Sequence, residues 1–168
     1  MGLLLLSIYL VLFLVGFLLR FFVGGKLVSD EDIRTLYTSH TQEVERLRNM
    51  YLEDRQKSNS RFFSVSANTS ESDCVRRGGS VERCQEYARL FTKVKVGIVY
   101  SAEGCVLLNV DGWGGFGEGK RKGLMWTTSP ITQQDKRSLQ RYVQIDDNWY
   151  IYEIYSEKAL FDSGNAHQ

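Results

Sequence analysis

The residues in this sequence whose types and spacing best suit a chemical role form one glycine-rich stretch, Gly112–Gly123. It contains G-x-G-x-x-G, and residues 114–120 also fit G-x-x-x-x-G-K; both patterns occur in loops that hold nucleotide phosphates. Such loops need a helix directly after the glycines, because its N-terminal amides bind the phosphates. Here Arg121 stands where Ser or Thr would hold Mg²⁺, and a strand is predicted to follow. A small-molecule or nucleotide-binding domain that uses this loop and Lys120 is therefore the alternative function.

Other reactive side chains are few. The chain has two histidines, His40 and His167, and three cysteines, and it shows no G-x-S-x-G, no Cys–His pair and no paired carboxylates at a readable spacing. We predict no catalytic residue, no cofactor and no metal site, and hence a protein that is not an enzyme. Cys74 and Cys84 are spaced for a local disulfide, although Cys84 also fits a small buried residue on a helix.

The charge balance bears on a further class of partner. Lys and Arg number 21 and Asp and Glu number 20, so the chain has almost no excess of positive charge. Non-specific nucleic-acid binding depends on clustered positive charge. We therefore predict no nucleic-acid partner. The one local basic cluster, residues 120–122, suits either a solvated turn or attraction to an anionic membrane surface.

The N-terminus carries a long apolar run, Leu3–Val23, with a single charge, Arg20. As a helix it would be about 30 Å long, the thickness of the hydrocarbon core of a bilayer. No basic residue precedes the run and no A-x-A pattern follows it, so the sequence favours a retained signal-anchor over a cleaved signal peptide. We predict a single-pass transmembrane anchor over residues 1–25, a lipid bilayer as partner, and Arg20 and Lys26 as the basic residues beside the membrane.

Two signals disagree about the side of the membrane on which the rest of the chain lies. Asn68–Ser70 fits a glycosylation sequon, and the spacing of Cys74 and Cys84 suits an oxidising compartment. Positive residues near the span favour the cytoplasmic side, or the matrix or stromal side in an organelle. The charge count leads us to expect that side, with the opposite side as the alternative. The positive residues concerned are Arg20, Lys26, Arg34, Arg46 and Arg48.

Beyond the anchor, apolar spacing predicts helices first and strands later. A membrane-proximal helix is expected over 26–57, because Ser29-x-x-Asp32 resembles a capping box and apolar residues then recur at three- and four-residue steps. A loop or connector is expected over 58–79. An α+β domain is expected over 80–162, in which a short helix is followed by strands, and a disordered tail over 163–168.

This order of elements predicts the fold class. We expect an α+β fold in which a long and a short helix pack on an antiparallel sheet of about five strands, after a single N-terminal transmembrane helix. The last strand, 149–155, has aromatic residues on both faces, and we expect Tyr150, Tyr152 and Ile154 to face the core.

The apolar stripe on the first helix has two interpretations. It can pack on the protein's own sheet, or it can form a seam between anchored copies or partners. His40 lies in this stripe and fits a packed residue better than a catalyst. The residues to which we assign partner binding come from the stripe and from the glycine-rich loop; they are Ile33, Tyr37, Val44, Leu47, Tyr51, Trp113 and Phe116.

The anchor, the stripe and the shortage of catalytic side chains together indicate a class of function. We expect a non-catalytic, membrane-anchored accessory or scaffold subunit of a larger membrane protein assembly. Its partners are other subunits of a membrane complex or further copies of this chain.

Overall fold

The computed structural model describes residues 27–58, 63–102, 104–115, 118–129, 131 and 140–154, and for residues 113–115 and 118 it describes the backbone alone. The predicted anchor over 1–25, Arg20, Lys26, Phe116 and the predicted tail over 163–168 lie outside this part of the chain. Among the described residues, no helix is both long enough and apolar enough to cross a membrane.

Two helices occupy the segment in which the sequence predicts one. α1 is Asp30–Ser39 and α2 is Thr41–Lys57, and His40 between them has a non-helical backbone (φ −134°, ψ 30°). The predicted capping box is present, because the Ser29 side chain accepts the N–H of Asp32 while the Asp32 side chain accepts the N–H of Ser29. The break at His40 lets each helix turn its own apolar face to the sheet. The residues buried in this way are Ile33, Tyr37, Val44, Leu47, Met50 and Tyr51.

Two shorter helices follow. α3 is Glu71–Arg76 and α4 is Val81–Val94, each begun by a serine whose side chain accepts a backbone N–H of the first turn. A disulfide joins Cys74 of α3 to Cys84 of α4. Gly79 lies against it, since a Cβ there would stand 2.9 Å from the Cys84 Sγ. The disulfide therefore holds the short helix α3 onto α4.

The sheet has six antiparallel-paired strands in the order β1-β2-β3-β4-β6-β5. The α+β class is confirmed, with one strand more than the sequence predicts. The added strand, β1, belongs with α3 to the segment 58–79 that the sequence predicts as a connector. The strands are β1 Ser64–Ser66, β2 Ile98–Ala102, β3 Cys105–Gly115, β4 Glu118–Trp126, β5 Arg141–Asp146 and β6 Trp149–Ile154.

Both faces of this sheet are apolar. One face packs against α1, α2 and α4, and Trp149 and Ile151 of β6 belong to that cluster. The other face carries a second buried cluster that includes Tyr152 and Ile154. Tyr152 and Ile154 are thus buried in a core cluster, as the sequence predicts, with Tyr150 packed against it, whereas the helices pack on Trp149 and Ile151 of the opposite face. An antiparallel strand normally alternates apolar and polar residues because one face meets water, and β6 does not alternate in this way.

A crossover connection follows from the strand order. β4 and β5 both run antiparallel to β6, so the chain between them must travel from one end of the sheet to the other. Ile131, which lies in that connection, packs against the second cluster. The connection therefore passes over the second face of the sheet at this point.

Candidate functional site

Toward its turn, the β3–β4 hairpin extends past β2, the strand that lies beside β3. β2 pairs with β3 as far as Asn109, and β6 is described as far as Ile154, which pairs with Arg121 of β4. Past Asn109, β3 pairs with β4 through Trp113–Lys120, Gly114–Gly119 and Gly115–Glu118. Three pairs correspond to about 10 Å of strand. We call residues 112–115 and 118–121 the ribbon.

Glycine is required where the ribbon leaves the sheet. The register of β3 shifts between Asn109 and Asp111, opposite Gly123. A Cβ at Gly123 would lie 2.0 Å from the Leu108 carbonyl oxygen, which no side chain can do. At Gly112 a Cβ would lie 2.9 Å from the Lys120 carbonyl oxygen. Gly112 and Gly123 thus serve the close approach of two strands, which is a common use of glycine in sheets.

The ribbon leaves the domain at the end where the chain arrives from residues 1–26. The backbone N–H of Val28 donates to the Asp111 carboxylate over 2.8 Å. Two residues later, Asp30 is 2.6 Å from the Lys122 Nζ and 2.6 Å from an Arg141 guanidinium nitrogen. We call this end of the sheet, marked by Val28, Asp30, Asp111, Lys122 and Arg141, the proximal end.

The ion pair at the proximal end is mostly shielded from water. The Lys122 side chain is 8 % exposed and the Asp30 side chain 26 % exposed. The hydrogen bond from Lys122 lowers the pKa of Asp30 below its ordinary value, and the nearby charges of Lys122 and Arg141 lower it further, against the opposing effect of burial. Asp30 also stands in the first turn of α1, where a negative charge is favoured. The carboxylate is therefore held ionised and joins α1 to β4 and β5.

The predicted partner-binding residues of the stripe lie inside the domain. Ile33, Tyr37, Val44, Leu47 and Tyr51 are at most 5 % exposed and belong to the core between the helices and the sheet. Of the two interpretations of the stripe, the structure therefore has the one in which it packs on the protein's own sheet. A partner could contact these five side chains only if the helices left the sheet.

Polar contacts also join the helices to the sheet at this interface. The Tyr37 hydroxyl donates to Asp146 over 2.7 Å, and burial followed by this hydrogen bond raises the pKa of Tyr37 well above its ordinary value. The Trp149 Nε1–H donates to Glu45 over 2.6 Å. The Arg48 guanidinium lies 4.5 Å from the centre of the Trp126 ring. Sequence reasoning missed the last two contacts, because each joins residues about 80 or more positions apart.

The remaining predicted site residues fall in three places. Trp113 lies in the ribbon, paired with Lys120. Cys74 and Cys84 form the disulfide between α3 and α4. His40 lies at the helix break with its Nδ1 3.9 Å from the Glu43 carboxylate. The described part of the chain holds no group of three or more His, Cys, Asp or Glu residues that could bind a metal ion.

The geometry does not resemble a phosphate-binding loop. After the glycines, residues 118–126 form strand β4, which pairs with β3 and β6, so in the described structure the glycines are followed by a strand and not by a helix. In comparisons with known proteins, no protein-family model, no curated protein and no solved structure matches this chain.

The Asp30–Lys122 pair yields a stability prediction. Replacing Asp30 with Asn leaves the shielded Lys122 ammonium without its charge partner, so we expect a loss of about 2 kcal/mol in the free energy of unfolding at pH 7. The pKa of Asp30 is lowered by folding, so its contribution is present above its ordinary pKa of 3.8 and is lost as the pH falls through the lower folded-state pKa. Urea unfolding of Asp30→Asn and the unchanged protein at pH 7 and pH 3 measures both effects.

The control for this experiment is Asp147→Asn, which alters an exposed carboxylate of the β5–β6 turn and should change stability by less than about 0.5 kcal/mol. Equal stability of Asp30→Asn and the unchanged protein at pH 7 would contradict the role given to the ion pair. So would a difference that persists in full at pH 3.

Proposed function

We propose that this chain is a non-catalytic, membrane-anchored accessory or scaffold subunit that binds other subunits of a membrane assembly with the ribbon at its proximal end. The observation that carries the proposal is the position of the ribbon. It extends past β2 beside Val28, five residues after the apolar run that ends at Val23. A partner embedded in the same membrane would meet this end of the domain first.

The composition of the ribbon supports a role in binding. The ribbon is rich in glycine, whose backbone is costly to order in a strand, so a partner that covers the ribbon would stabilise it. Its sequence also supplies Trp113, and tryptophan is enriched among the residues that dominate interface energies.

The disulfide bears on the side of the membrane. Cytosolic proteins seldom keep structural disulfides, because their compartment is reducing. The Cys74–Cys84 bond therefore supports the domain's lying on the oxidising side, the alternative to the side that the charge count favours. We propose the oxidising side.

The experiment that tests the subunit proposal is gentle detergent purification of the full chain from its own membranes, with mass spectrometry of the proteins that co-purify. We expect membrane proteins in stoichiometric amounts. Trp113→Ala should weaken their retention about thirtyfold, the equivalent of roughly 2 kcal/mol at an interface, while the melting temperature of the isolated chain stays within a few degrees.

Val81→Ala is the matched control, since Val81 is an exposed apolar residue on α4, and it should leave retention unchanged. A chain that purifies alone and is stabilised by nucleotide, with the stabilisation lost in Lys120→Ala, would reverse the proposal in favour of the nucleotide-binding alternative. Unfolding of Trp113→Ala would place this residue in the core instead of the interface.

The sidedness proposal is tested by peptide mapping. Native membranes are quenched with acid, free thiols are alkylated, and the chain is digested without reduction. We expect a peptide pair joined through Cys74 and Cys84, with Cys105 recovered as an alkylated thiol because it takes no part in that disulfide. Recovery of Cys74 and Cys84 as alkylated thiols, like Cys105, would return the domain to the cytoplasmic side.

A further inference from the structure

A cavity of about 430 Å³ begins at the proximal end and runs along α1 to His40. One part of its wall is apolar and consists of Val28, Leu36 and Val110. The rest of its lining is polar and consists of Asp32, Thr35, Ser39, His40, Lys93 and Lys95. The cavity is therefore amphiphilic, with hydroxyl-bearing and cationic residues beside apolar ones.

Of the two lysines that line this cavity, Lys95 makes fewer side-chain contacts with the rest of the domain. Lys93 is held by Glu43 through an ion pair. The Asp32 carboxylate, which also lines the cavity, accepts the hydroxyl and the N–H of Ser29 in the capping box. The described contacts give Lys95 no side-chain hydrogen bond and no ion pair, and it is exposed. Its charge is thus available to a ligand.

The backbone at Lys95 is costly for a lysine. It ends α4 in the left-handed conformation (φ 51°, ψ 36°), and no other described non-glycine residue has a positive φ. Glycine is the usual residue at this position of a helix end, because a Cβ is disfavoured there. A residue held in an unfavourable conformation is a reason to look for function. Here the long cationic side chain lines a cavity, which glycine could not do.

We propose that this cavity binds the phosphate of an anionic phospholipid headgroup. The inference rests on the proposed membrane attachment: Val28 lines the cavity, and the five residues from Val23 to Val28 reach at most about 18 Å. Lys95 receives the phosphate charge, Thr35 and Ser39 donate to its oxygens, and the apolar wall contacts the glycerol and the first methylenes. Inorganic phosphate shares the oxyanion but not the apolar part.

The test uses the full chain in a neutral detergent and a short-chain phosphatidylglycerol added below its own micelle concentration. Binding is followed by the rise in melting temperature and by calorimetry. We expect saturable binding of phosphatidylglycerol, no saturable binding of the matching phosphatidylcholine, and at least tenfold weaker binding of sodium phosphate. Phosphate binding as tightly as phosphatidylglycerol would overturn the assignment to a lipid, and no binding of either would overturn the site.

Substitutions at position 95 separate the effect of the lysine charge on binding from the effect of the backbone conformation. Lys95→Asn removes the charge with a residue that tolerates the left-handed conformation, and it should weaken binding at least tenfold while the protein stays folded. Lys95→Arg should keep binding within threefold. Lys57→Gln, an exposed lysine at the end of α2, is the control and should bind as the unchanged protein does. Unaltered binding in Lys95→Asn would contradict the proposal.

The proposal of membrane attachment and the proposal of lipid binding in the cavity can be contradicted independently of each other. Membrane attachment is read from carbonate extraction of the source membranes, where a chain released in soluble form would overturn the anchor. The lipid titration is made on solubilised protein and does not depend on that result. Retention of the anchor with no phosphatidylglycerol binding would overturn the cavity's role alone.

Discussion

Lys122 reaches Asp30 from the middle of a sheet strand, and only 8 % of its side chain remains exposed. A lysine so placed needs its charge partner, because an unpaired ammonium in that position would lose its hydration without compensation. The pair fixes the first turn of α1 against β4, and Arg141 extends the tie to β5. The point at which the chain enters the domain is thereby set relative to the ribbon and to the cavity, since Val28 contacts Asp111 and also lines the cavity. The proposed functions of both depend on that placement.

The helix–sheet interface and the proximal end of the domain differ in how they are packed. Between the helices and the sheet, apolar burial is reinforced by polar contacts such as Tyr37–Asp146 and Trp149–Glu45. The stripe residues predicted to bind a partner are therefore buried in the core. At the proximal end, β3 and β4 extend past β2, and Lys95 of the adjoining cavity has an unfavourable backbone conformation. The interior is thus well packed, while these two features lie where the chain arrives from its N-terminal apolar run. This distribution is the main support for a domain that works next to a membrane.

The sequence predicted those parts of the fold that depend on local signals. The capping box at Ser29 and Asp32, the α+β class and the apolar helix face all follow from spacing and residue type. The break at His40 could not be predicted in this way, because the apolar stripe continues through it. The change of helix direction at His40 is required only by packing on the sheet. Strand β1 is three residues, Ser64–Ser66, and forms by pairing with β2 more than 30 positions away. For the candidate site, the glycines and Trp113 could be singled out from the sequence. Their place in the ribbon depends on where β2 stops pairing with β3, which no local pattern encodes.

The central claim is that the proximal end of the domain lies against the membrane. Spin labels carried by non-natural amino acids at position 120 in the ribbon and at position 77 after α3, with the full chain in lipid nanodiscs, measure this directly. Relaxation by oxygen, which concentrates in lipid, is compared with relaxation by a water-soluble nickel complex. We expect the label at 120 to lie at the depth of the headgroups and the label at 77 to lie in water. Equal accessibility of both labels to the nickel complex would contradict the account.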